Sequence, residues 1–446
     1  MTAPQPPEKL SKQRLELLLA DAKVNYSKGE AIAEANRCLY CHDAPCVTAC
    51  PTGIDIPGFI RKIATDNVRG SAKRILSANL LGYSCARVCP VEVLCVGACV
   101  YNEWHRTPPI AIGRLQRYAT ESALGEGGAL KLFTSAPTTG KKVACVGSGP
   151  ASLAAAGYLA LEGVAVTVFE RKAIAGGLNT TGIAPYKMHA HDAMREIEFV
   201  RSLGVTVRDR VEIGLDISAA DLLRDFDLVF LGAGLGADSR LGIPGEDGPG
   251  IIGATAWIER LKLDPALEVR GIGHAIVIGG GNTSLDAVRE LAQLGVPEVS
   301  LLYRRTVAEM PGYAHELALA RREGVRVIER AVPTELLRDA QHRLTGLRLA
   351  DGREVVCDLV VVGIGQAKLK DLASQLPGVE LDAKGHVQVD AATGRTGNPR
   401  VFAGGDVLGG ELVVTAVQDA KRAARAMAAA LGMALRKDAP MRAGHV

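Results

Sequence analysis

Two stretches, "VACVGSGPASLAAAGYLALEGVAVTVFE" (143–170) and "AIVIGGGNTSLDAVRELAQLGVPEVSLLYRR" (275–305), repeat one pattern: apolar strand, glycine turn, helix, second apolar strand. A strand that runs straight into a helix through a glycine turn and returns as a strand is a parallel βαβ unit, and two copies predict two dinucleotide sites. In the first copy Gly147 and Gly149 let backbone N–H groups approach a pyrophosphate at a helix N-terminus. Ser152, at the third position, is small enough for close helix packing. Glu170 ends the second strand, 21 residues after Gly149, where a carboxylate accepts a ribose hydroxyl pair. In the second copy Gly279, Gly281 and Ser284 take the same places, but the strand runs out into Arg304 and Arg305. Guanidinium groups there would suit a 2′-phosphate.

The chain has ten cysteines, and eight of them lie between 38 and 99. They form two groups, Cys38-x2-Cys41-x4-Cys46-x3-Cys50-Pro51 and Cys85-x3-Cys89-Pro90-x4-Cys95-x3-Cys99. Thiolates packed this densely suit iron–sulfur cubanes, and a Cys-Pro step turns the chain so that its thiol serves the other cluster. Two clusters with crossed ligation are expected. Paired structural zinc sites are the alternative, but they would want two CxxC knuckles and only Cys38 to Cys41 has that spacing. Between the groups, "IPGFIRKIATDNVRGSAKRILSANL" carries apolar residues at helical spacing, so this module is read as helical. His42 in the first loop is read as solvent-exposed, and Cys145 and Cys357 as buried packing thiols.

The remaining chain fits an FAD domain interrupted by an NAD(P) domain. "FDLVFLGAGLG" (226–236) and "CDLVVVGIGQ" (357–366) are read as strand-glycine turns of the first unit at the crossings between the two. "RVFAGGDVLGG" (400–410) places Gly405 and Asp406 before an Ala-rich helix, where the acid can hold the ribityl or phosphate region of a flavin and the helix N-terminus favours negative charge on its ring. The fold class is α/β: a helical iron–sulfur domain at 1–125, a linker at 126–140, FAD segments at 141–253 and 366–446, and the inserted NAD(P) domain at 254–365. A net charge of +3 with no basic block argues against nucleic acid as a partner, and no apolar run is long enough for a membrane span. The polar start of the chain places it in the cytoplasm by default.

The motifs "CLYCHDAPCVTACPTGIDIPGFI", "CARVCPVEVLCVGAC", "IGRLQ", "VGSGPASL", "GGLNTTGI", "GGGNTSLD" and "FAGGDV" together resemble the dihydropyrimidine dehydrogenase family: its N-terminal half and the stand-alone PreT-type subunits. The resemblance implies two 4Fe–4S clusters, one on Cys38, Cys41, Cys46 and Cys99, the other on Cys50, Cys89, Cys95 and Gln116, with Cys85 left over. It also implies FAD contacts at Gly149, Glu170, Gly177, Leu178, Lys187, Gly405 and Asp406, Lys187 standing near the flavin phosphate. Nicotinamide contacts would fall on Gly281, Asn282, Thr283, Arg304 and Arg305. NAD(P)H is the expected cosubstrate, NADH being favoured by the family and NADPH by the arginine pair. The implied partner is an FMN-containing PreA-type subunit that interconverts uracil or thymine with the 5,6-dihydro form, in a hetero-oligomer. The glutamate synthase small subunit, which shares all three units, is the alternative, and a flavin disulfide reductase with a structural zinc domain is a third.

Overall fold

The computed structural model describes residues 10–104, 108–125 and 131–444, so residues 126–130 of the expected linker lie outside the described residues. Four strands build most of the first sheet: β1 (Lys142–Val146), β2 (Ala165–Glu170), β3 (Thr206–Asp209) and β4 (Leu228–Leu231). The chain then enters a second unit with β5 (Ile251–Gly253), β6 (His274–Ile278), β7 (Glu298–Leu302) and β8 (Arg326–Ile328). A three-stranded antiparallel sheet follows, β9 (Pro333–Arg338), β10 (Leu344–Leu349) and β11 (Glu354–Val356), before β12 (Leu359–Val362) rejoins the second sheet. Last, β13 (Val401–Ala403) returns to the first.

The two large sheets are parallel throughout, with strand orders β13-β4-β1-β2-β3 and β5-β12-β6-β7-β8. β1 and β4 are buried along almost their whole length, as strands covered by helices on both faces must be. Two sequence expectations change here. The 357–366 stretch reads both as a turn of the first unit and as part of the 254–365 segment, and pairing decides for the latter, since Leu359–Val362 bonds to β6 and β5 in the second sheet. Ile251–Gly253 was placed at the end of the first FAD segment and is instead an edge strand of the second sheet. Both segments are short apolar runs with no register of their own, so only pairing decides their sheet. The crossings do lie side by side: Gly236 N donates to Ala367 O at 2.8 Å, and Ala367 N to Ala237 O at 2.8 Å.

The N-terminal module is helical, and its middle segment forms two helices. Ile56–Ala64 buries Ile56, Phe59, Ile60 and Ile63 on one face, and Asp66, two residues past its end, turns the chain with a positive φ of 59°. Asn67 then caps Val68–Ala78 by accepting the N–H of Gly70 at 2.9 Å. One apolar core runs from Leu76, Leu80 and Tyr83 of this module into Leu153, Val417 and Met427 of the FAD unit, so the two are packed together.

Candidate functional site

A cavity of about 610 Å³ opens where the three units meet, within the usual range for a cofactor site. Gly147, Gly149, Glu170, Gly177, Leu178 and Lys187 line it from the first FAD segment. Gly405 and Asp406 line it from the last, and Asn282 and Thr283 from the second unit. Gly147 must be glycine: its φ is 83°, and a Cβ would stand 2.8 Å from the Cα of Ala233. Gly177 is held likewise, with a φ of 55° and a Cβ position 2.7 Å from the Cα of Gly149. These contacts bring the strand-glycine turns of β1 and β4 and the 177 loop within van der Waals reach. Helix Pro150–Leu161 has Gly149 as its N-cap, which offers no side-chain cap, and proline as its first residue.

Glu170 is buried and does more than the sequence suggested. Its Oε2 accepts Ser148 N at 3.0 Å and Ser148 Oγ at 2.5 Å, and its Oε1 accepts Lys172 N at 2.7 Å. The carboxylate therefore fixes the glycine loop as well as facing the cavity. Ser152 stays beneath the loop, donating to Val146 O at 3.2 Å. Burial, with Glu411 beside it, pushes the Asp406 carboxyl up to about 6.

Lys187 lines the cavity, but its ammonium meets Asp286 at 2.7 Å and Glu316 at 2.9 Å rather than standing free for a flavin phosphate. It is a brace between the two nucleotide units. Asp286 also accepts the Tyr186 hydroxyl at 2.7 Å. Sequence reasoning missed Asp286, although it lies four residues after Asn282 on the same helix and hence on the same face. Gly281 is the N-cap of that helix, Asn282–Gln293, and Ser284 Oγ donates to Gly363 O at 3.0 Å beneath it. Gly279, Gly281, Arg304 and Arg305 do not line the cavity. The two arginines are exposed past the end of β7, with Arg305 donating to the Tyr303 hydroxyl at 2.9 Å.

The thiols fall into two sets. Cys38, Cys41, Cys46 and Cys99 line one small cavity with Ile56, Ile60 and Ile112. Burial and the proximity of Cys38, Cys99 and Cys41 push the Cys46 thiol up to about 12. In the second set, burial and Cys50 push Cys89 up to about 12, and burial, Cys89 and Cys50 raise Cys95. Cys50 thus stands among the second set despite its place in the first loop. Cys85 is buried beside Cys89 and accepts the Asn79 amide at 3.2 Å. Gln116 lies on helix Ile112–Leu124 and gives its Nε2 to Gly82 O at 2.7 Å, which leaves the amide oxygen as the donor atom for a metal. His42 is fully exposed.

Among the described residues, no three of these thiols lie within 4.8 Å of one another. Donor sets made almost wholly of thiols suit 4Fe–4S cubanes. Cys89 lines the large cavity as well, and joins the two regions.

Residues 17–127 match the family described as dihydropyrimidine dehydrogenase domain II, 4Fe-4S cluster, and residues 141–420 that of pyridine nucleotide-disulphide oxidoreductase. The glutamate synthase (NADPH) small chain of Escherichia coli K12 is 32% identical over 435 residues, covering 90% of this chain and 91% of that one. The NAD-dependent dihydropyrimidine dehydrogenase subunit PreT of Escherichia coli K12 is 33% identical over 399 residues, covering 89% and 93%. Among solved structures, T. acidophilum thioredoxin reductase shares the fold with a TM-score of 0.54 at 21% identity, covering 65% of this chain and 98% of that one. Fold and site together define an NAD(P)-dependent flavin oxidoreductase that carries FAD and an iron–sulfur module of the 4Fe–4S type. The chain belongs to the pyridine nucleotide-disulphide oxidoreductase family, in the group that joins it to this iron–sulfur domain and includes PreT and the glutamate synthase small chain.

Proposed function

We propose that this chain is the electron-input subunit of a dihydropyrimidine dehydrogenase, drawing on NADH and serving an FMN-containing partner that interconverts uracil or thymine with the dihydro form. The observation that carries the electron-input role is Cys89, a cluster-ligand candidate that lines the cavity built by the flavin-binding segments. Cys145 lies in β1 and Cys357 just before β12, so these two thiols belong to different sheets and supply no dithiol to the cavity. FAD held here would supply the exchange between a two-electron hydride and single electrons, and 4Fe–4S clusters on the two cysteine sets would supply single-electron carriage. The protein's own work is geometric. Gly147, Gly149 and Gly177 hold the backbone close enough to embrace a pyrophosphate, and Glu170 sets the turn. Cys38, Cys41, Cys46 and Cys99 would hold one cluster, and Cys50, Cys89, Cys95 and Gln116 the other.

The second reading, a glutamate synthase small chain, is favoured by Arg304 and Arg305, exposed where a 2′-phosphate could be met. One comparison separates the two. Anaerobically reconstituted protein is assayed with NADH and NADPH, first with an artificial dye and then with each candidate partner. Uracil reduction with the FMN-containing partner supports the pyrimidine reading. Glutamate formation with a glutamate synthase large chain, and none of dihydrouracil, replaces it.

A further inference from the structure

Lys421 lies on helix Val413–Ala430 of the last FAD segment and is 0% exposed. Its Nζ donates three hydrogen bonds, to Thr52 O at 2.8 Å, Ala78 O at 2.8 Å and Ala443 O at 2.9 Å. Three donated hydrogens are the full complement of an ammonium, whereas a neutral amine has two, so the geometry is that of a charged lysine. Its three partners are neutral carbonyls, and carbonyl dipoles alone are a poor exchange for water around a buried charge. Burial, with Arg425 of the same sign nearby, presses the Lys421 ammonium down to about 7, and Cys50 is the group that works the other way, favouring its charge. Thr52 follows Cys50 by two residues. Ala78 immediately precedes Asn79, the donor to Cys85 Sγ. The cation is therefore bonded to the backbone two residues from Cys50, and Cys50 is the thiol of the second set that acts on it.

We propose that Lys421 is the fixed counter-charge of the iron–sulfur site held by Cys50, Cys89 and Cys95, and raises its reduction potential so that it accepts electrons from the flavin side. The proposal rests on the cysteine assignment made above. Iron bound by thiolates carries net negative charge. An electron that leaves the reduced flavin, itself reduced by the nicotinamide hydride, adds one negative unit to the site. A fixed positive charge in a low-dielectric interior stabilises that reduced form more than the oxidised one. A lysine that served only as a strut between three segments would leave the potential unchanged.

The test compares Lys421→Met, which keeps length and loses charge, with Lys421→Arg, which keeps charge. Iron and sulfide content is measured first, then each cluster is titrated by EPR-monitored potentiometry. In loaded Lys421→Met, one cluster is expected to become at least tenfold harder to reduce, a fall of at least 59 mV for one electron, while the other cluster and the FAD hold their potentials. Lys421→Arg should stay within threefold of wild type. An unchanged potential in loaded Lys421→Met overturns the proposal. If that variant loads no iron, a fall beyond threefold in Lys421→Arg overturns it. Cys50→Ala tests the assignment separately: full iron content there removes the ligand set, whatever Lys421 does.

Discussion

At Cys89 the thiol is raised to about 12 by burial and by Cys50, and the same residue lines the flavin cavity. A sulfur so poorly ionised is a weak nucleophile at neutral pH, and metal binding is the event that would take its proton. Cys89→Ala should lose about half the iron if one of two clusters goes, and should end electron transfer to an external partner. Reduction of FAD by NAD(P)H, followed by stopped-flow bleaching of the flavin, should persist, and its loss in a folded variant would refute the division of labour. Gly147→Ala acts on the opposite half. A Cβ 2.8 Å from Ala233 at φ 83° forces the loop apart, so purified protein should be depleted of FAD while retaining its iron. A variant with full flavin content would show that the loop yields. Gly147, Glu170 and the Cys-Pro step at Cys50 were legible because each obeys a local rule. Lys187 was not, because its choice of Asp286 and Glu316 depends on how two distant segments meet.

At the scale of elements, helix Gly82–Val88 shows how the cysteine module is seated. Its N-terminus has no cap from its own N-cap residue Leu81. Glu196, from helix Ala190–Ser202, supplies one: it accepts the N–H groups of Tyr83 at 3.1 Å and Ser84 at 3.2 Å, and the Ser84 hydroxyl. A carboxylate at a helix N-terminus is favourable, but burial pushes this one up to about 7 against the hydrogen bonds from Ser84 and Tyr83. The folded state then holds the proton more tightly than the unfolded state, so the contribution of this group to stability is fully present below about pH 4.5 and is lost as pH rises toward about 7. The swing is of order 3 kcal/mol. In Glu196→Gln the difference in melting temperature between pH 5 and pH 7.5 should shrink, and an undiminished difference would assign it to another group. No periodicity foretold this cap, which comes from another element. The same limit explains β5 and β12, whose apolar runs announced strands but not which sheet would take them, whereas the longer β1 and β6 units were legible from their strand, glycine turn and helix.

Across the whole molecule, the two nucleotide units are fastened at their seam. Lys262, on helix Ala254–Leu263 of the second unit, is fully buried and donates to Asn179 O at 3.2 Å, Ile183 O at 3.0 Å and Met188 O at 2.9 Å in the first. Lys172 meets Glu259 at 2.6 Å across the same seam. The N-terminal segment adds a strap: Leu19 packs into the second unit's core, Glu16 accepts Ala190 N at 3.0 Å, and Asp21 meets Arg87 at 3.1 Å and Arg117 at 2.7 Å in the cysteine module. Rotating one nucleotide unit against the other would break these bonds together, so the structure favours one fixed approach between the second unit and the flavin cavity. Lys262→Met tests that. It leaves three buried carbonyls without their donor, at about 1–3 kcal/mol each, so the melting temperature should fall by several degrees. More telling is the split in kinetics. Iron content and FAD content should hold, while the single-turnover rate of flavin reduction by NAD(P)H falls at saturating nucleotide, because the angle of approach and not affinity has been lost. Lys262→Arg should recover part of both. A folded Lys262→Met with an unchanged single-turnover rate would mean that the seam holds the units together without setting the geometry of hydride transfer.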